Sequence, residues 1–89
     1  MKSHKLDRRF AGYNAFKYCS EFARVEVQKF QDIRIWCWET WGPSCELEKY
    51  TKLDIPNPAW CWASTQWYTR IYFATDAEYS WFLLKWGTE

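Results

Sequence analysis

The sequence predicts an α+β domain: a small antiparallel or mixed sheet with two helices packed on one face, close to a ferredoxin-like arrangement lacking its last strand. Three observations point there. Two segments carry apolar residues at helical spacing and stop at a glycine. Two neighbouring segments dense in β-formers flank a short polar turn. The resulting order of strand, helix, strands and helix is that of an α+β sandwich. The 89 residues make a single domain, 1–89, of which residues 1–9 read as a loosely ordered basic tail. With 48% apolar residues, three Gly and three Pro, the chain is too hydrophobic for disorder, and its eight Trp, six Tyr and six Phe predict an aromatic core.

Taken in order, Phe10 to Cys19 is aromatic around the breaker Gly12 and reads as extended. Phe22 to Gln28 alternates, with Ala23, Val25 and Val27 on one side and Arg24, Glu26 and Gln28 on the other, which predicts a half-buried strand. From Lys29 to Trp41 the period lengthens: Phe30, Ile33, Cys37 and Trp41 form one stripe, and Gly42-Pro43 is a helix stop. Cys45 to Tyr50 alternates weakly, and Asp54 to Pro58 is a proline-bounded loop. Trp60 to Ala63 and Trp67 to Phe73 read as a hairpin around Ser64-Thr65-Gln66. Thr75-Asp76-Ala77-Glu78 matches a capping box, opening a helix that runs to Trp86 and ends at Gly87. Its core stripe is Tyr79, Phe82, Leu83 and Trp86.

Composition narrows the function classes. Twelve Lys+Arg against eleven Asp+Glu leave a net charge of +1, which removes the electrostatic argument for duplex DNA or an anionic membrane. No secretory signal opens the chain and no run is long and apolar enough for a membrane helix, so the expectation is a soluble, cytoplasmic protein. Cys19, Cys37, Cys45 and Cys61 form no C-x-x-C pair, and the expectation is free buried thiols with neither metal nor cofactor. His4 is the only histidine and sits in the charged tail, while Gly12, Gly42 and Gly87 are isolated. Glu46, Glu48 and Asp54 read as solvated acids. No nucleophile-and-base set or phosphate loop emerges, and no catalysis is expected.

Two surface features remain. On the C-terminal helix Ala77, Trp81 and Leu84 cluster opposite the core stripe, while Ile35 lies on the outer side of the first helix and Trp38 between core and surface. A sheet covers only one side of a helix, so these five residues predict a protein-docking patch. On the last strand Trp67, Ile71 and Phe73 alternate with Tyr68, Arg70 and Tyr72. If the helices cover the first set, the second forms an open aromatic face of the kind that stacks on single-stranded nucleic acid or a nucleotide, with Lys17, Lys49 and Lys52 for phosphates.

The run Trp36-Cys37-Trp38-Glu39-Thr40-Trp41-Gly42-Pro43-Ser44 and the ending from Ile71 through Phe82-Leu83-Leu84-Lys85-Trp86-Gly87 resemble small accessory proteins of large tailed bacteriophages. The resemblance covers about a third of the chain and transfers no functional residue. It implies a host-takeover or counter-defence context, in which non-enzymatic proteins block a host machine or bind a nucleic acid or signalling nucleotide. The leading expectation is therefore a non-catalytic protein-binding module, phage-encoded, that inhibits or modulates a partner in the host cytoplasm. That partner is a host or phage protein, or a second copy of the chain. Nucleic acid or nucleotide binding at Tyr68, Arg70 and Tyr72 is the alternative.

Overall fold

The computed structural model describes residues 2–9, 16–44, 46, 59–66 and 68–87. Strand β1 (Lys2–Lys5), β2 (Tyr18–Phe22), β3 (Trp60–Ser64) and β4 (Thr69–Phe73) form an antiparallel sheet in the order β1-β2-β4-β3. Helix α1 (Val27–Trp41) lies between β2 and β3 in sequence, and α2 (Asp76–Trp86) follows β4. The fold is α+β, as the element order predicts.

Register decides which residues face the helices. Tyr18 pairs with Phe73, Ser20 with Ile71 and Phe22 with Thr69, and across the other ladder Trp60 pairs with Phe73 and Trp62 with Ile71. Because side chains alternate along a strand, these residues share one face. Phe22, Trp60, Ile71 and Phe73 of this face, with Tyr18 and Trp62 packed against them, meet Phe30, Ile33 and Cys37 of α1 and Phe82 of α2 in one cluster, so both helices cover the same side. The contacts are aromatic: Phe73 lies 4.7 Å from Phe82 and 6.0 Å from Trp41 between ring centroids, and Tyr18 stacks on Tyr79 at 4.4 Å.

The helix ends follow local chemistry. Gly42 takes φ 94°, ψ 176°, a conformation essentially reserved for glycine, and its N–H donates to the Trp38 carbonyl at 2.9 Å. The turned chain is then pinned to β3. The indole Nε1–H of Trp60 donates to the Gly42 carbonyl at 2.9 Å, and the Ser44 hydroxyl donates to the Trp60 carbonyl at 2.6 Å. At α2 the Thr75 hydroxyl caps the helix by accepting from the Ala77 N–H at 3.2 Å and donates to the Glu78 carboxylate; the two side chains meet each other, in place of the reciprocal side chain-to-backbone bonds that the capping sequence predicts.

The predicted strand over Phe22–Gln28 is not formed. The strand ends at Phe22, a single 3-10 turn spans Arg24–Glu26, and Val25 is left 93% exposed. A local bond wins over the alternating pattern: the Glu26 carboxylate accepts the Ala23 N–H at 2.9 Å and the Glu26 N–H donates to the Ala23 carbonyl at 2.9 Å, turning the chain into α1. Nor are residues 2–5 a loose tail, since they form edge strand β1 along β2, with Ser3 and Ser20 joined by hydroxyls at 3.1 Å. Lys2 and Lys5 are exposed, as charged residues on an edge strand commonly are. The weak alternation at Cys45–Tyr50 lies outside the described residues except at Glu46, which bridges to Trp62, and the loop at Asp54–Pro58 lies wholly outside them.

Candidate protein-docking surface

Helix α2 carries two apolar faces. Phe82 is fully buried and Tyr79 and Trp86 are half-buried against the sheet, whereas Trp81 is 54% and Leu84 76% exposed. Leu83, predicted within the core stripe, stands at its flank and is exposed. Trp36 of α1 meets Trp86 edge-on at 6.3 Å, and Thr40 and Trp41 share a hollow with Thr75, Ala77 and Glu78. The later residues of α1 thus lie beside the earlier ones of α2, and the helices run antiparallel.

The seam between them opens outward on both sides of Trp81. One hollow, about 210 Å³, is lined by Trp36, Trp81, Leu84 and Lys85. The other, about 480 Å³, runs past Trp41 and Thr40 to Ala77 and Glu78. Such a concave strip with an indole at its centre suits an inserted side chain from a partner.

Of the five residues predicted to dock a partner, the structure brings Ala77, Trp81 and Leu84 together on this seam. Ile35 and Trp38 are exposed, at 57% and 51%, but line neither hollow. At about 100° per residue Ile35 stands about 100°, and Trp38 about 160°, around α1 from Trp36. The predicted single patch is therefore split, and its place on α1 is taken by Trp36, Thr40 and Trp41. Helical azimuth alone carries that signal, because Trp36 sits about 60° from the core position Ile33.

The far face of the sheet is not the open platform expected at Tyr68, Arg70 and Tyr72. Tyr72 is fully buried, with Phe16 tilted against its ring at 5.9 Å and Cys19, Cys61 and Ala63 around it. Arg70 donates to the Glu21 carboxylate at 2.8 Å and lies 3.7 Å from the centroid of the half-buried Tyr68 ring. Burial pushes the Tyr72 phenol well above its ordinary range, against the opposing pull of the Arg70 cation. The expectation missed a second, smaller core, because the covering residue Phe16 comes from a stretch without readable period. Lys17 is exposed, while Lys49, Lys52 and Trp67 lie outside the described residues.

Strand β1 sets His4 opposite Cys19, but Cys19 is fully buried and burial raises its thiol to about 11, leaving the unreactive protonated form at neutral pH. Cys19 and Cys61 flank Tyr72 from opposite sides, roughly 9–10 Å apart at two strand spacings, beyond the reach of a disulfide. Cys37 lies among the residues between sheet and helices, and Cys45 falls outside the described residues. Among the described residues no three His, Cys, Asp or Glu side chains gather as a metal site, and no helix is long and apolar enough to cross a membrane. No protein-family model matches the chain, and neither a curated protein nor a solved structure matches it.

Proposed function

We propose that this chain is a non-catalytic protein-binding module that docks a partner protein in the seam between α1 and α2. The observation that carries the reading is the second apolar face of α2, where Trp81 and Leu84 stay exposed although Phe82 already anchors the helix to the core. Neighbouring exposed apolar side chains rimmed by polar residues are a mark of interaction sites. The phage-like style of the Trp36–Ser44 run and of the C-terminal ending supports inhibition or modulation of a host protein as the role. We also read the architecture as a rearranged ferredoxin-like one. In support, β1 occupies the edge beside β2, where a closing strand would complete the β-α-β-β-α-β order.

The test is affinity capture from a bacterial lysate, followed by titration of the purified captured protein, using wild type and the variant Trp81→Ser/Leu84→Ser. A stoichiometric partner bound by wild type and lost by a variant with unchanged circular dichroism is the expected result. A variant that still binds the same partner, or that unfolds, contradicts the reading.

A further inference from the structure

We infer that in the purified protein the exposed face of α2 is occupied by a second copy of the same helix, antiparallel across a two-fold axis at Trp81. The inference rests on the reading of that face as a docking surface and names its occupant.

Position and charge both select this pairing. Ala77, Trp81 and Leu84 recur at intervals of four and three residues, the spacing of an apolar seam between two helices. A two-fold axis at Trp81 sets that indole against its own copy. It also sets Ala77 opposite the partner's Leu84 and Glu78 opposite the partner's Lys85, each offset from ideal register by about 1.5 Å, one residue's rise. A small side chain then faces a large one, and an acid faces a base. Glu78 and Lys85 are seven residues apart on one helix, roughly 10 Å along its axis, too far to pair with each other. Only a second copy brings them together. Asp76 and Glu78 occupy the first turn of α2 and Lys85 the last, so an antiparallel neighbour complements both ends of the helix. The net charge of +1 per chain offers little repulsion against self-association. A contact centred on one helix per copy is small, which places the dimer in the weak class.

Sedimentation velocity of the full chain from micromolar to millimolar concentration reads the outcome, with two charge variants alongside. Glu78→Lys and Lys85→Glu should each weaken the dimer about tenfold, by turning two attractive pairs into repulsive ones. Mixed one to one, the two variants should form a heterodimer at least as tight as the wild-type dimer, because each 78–85 pair is then opposite in charge. Glu78 also belongs to the α2 cap, so far-ultraviolet circular dichroism checks that Glu78→Lys is folded. Should it not be, Lys85→Glu mixed with Glu78→Gln replaces that pair, with partial recovery expected. A wild type that stays monomeric to millimolar concentration overturns the inference while leaving the capture experiment free to support the docking surface. A dimer that survives Trp81→Ser/Leu84→Ser, or charge variants that show no mutual recovery, overturns it as well.

Discussion

Phe82 and Leu84 are two residues apart on α2, yet truncating them should differ several-fold in cost. Phe82 is fully buried, packed 4.7 Å from Phe73 and 6.4 Å from Tyr79 between ring centroids. Its replacement by Ala leaves a cavity between helix and sheet and should cost about 3–5 kcal/mol. Leu84 is 76% exposed. Of the roughly 1.5–3 kcal/mol that a fully buried Leu contributes, about a quarter, or ~0.5 kcal/mol, is at stake in Leu84→Ala. Alanine is in addition the better helix former. An 89-residue domain is held by about 4–13 kcal/mol, so Phe82→Ala removes a large share of the total and Leu84→Ala almost none. Urea unfolding followed by circular dichroism, at a concentration low enough to keep the chain monomeric, measures both. Equal costs for the two, or a larger cost for Leu84→Ala, would refute the division of α2 into a core face and an open face.

Thr75→Ala removes the hydroxyl that accepts the Ala77 N–H, and should destabilise the domain by about 0.5–2 kcal/mol in the same urea assay. Gly42→Ala forces a side chain into positive φ where the chain leaves α1, with an expected loss of about 1–3 kcal/mol. In alkali, burial holds Cys19 protonated to about 11, and Cys37 and Tyr72 are shifted upward for the same reason. An acid whose pKa is raised by folding contributes fully below its unfolded value, about 8.5 for a thiol. That contribution is lost as pH climbs through the folded value. Stability should therefore fall between about pH 9 and 11, less steeply in Cys19→Ala; an identical slope in the two proteins would exclude Cys19 as a source of the loss.

Helices and hairpin were legible because their signals are local. Phe30, Ile33 and Cys37 recur at the helical period, Gly42-Pro43 stops the first helix, and the Thr75 cap starts the second. What escaped depends on partners distant in sequence. Lys2–Lys5 is polar on both faces, and only its pairing with β2 makes it a strand. Ala23, Val25 and Val27 alternate like a strand, yet one carboxylate bond from Glu26 turns the backbone away. The candidate surface followed the same division. The exposure of Trp81 and Leu84 could be read from helical azimuth, whereas the hollow beside them needs Trp36 and Thr40 from a helix some forty residues earlier, set antiparallel by the sheet.

Hydroxyl-radical footprinting of the chain, as a dilute monomer and again in its associated form, tests the two-faced α2 most directly. Trp81 and Leu84 should be oxidised in the monomer and protected on association. Phe82 and Phe73 should stay silent in both states, and Ile35 and Trp38 should stay reactive in both. Protection of Trp81 and Leu84 already in the monomer, or their continued oxidation once the chain has associated, would contradict the account.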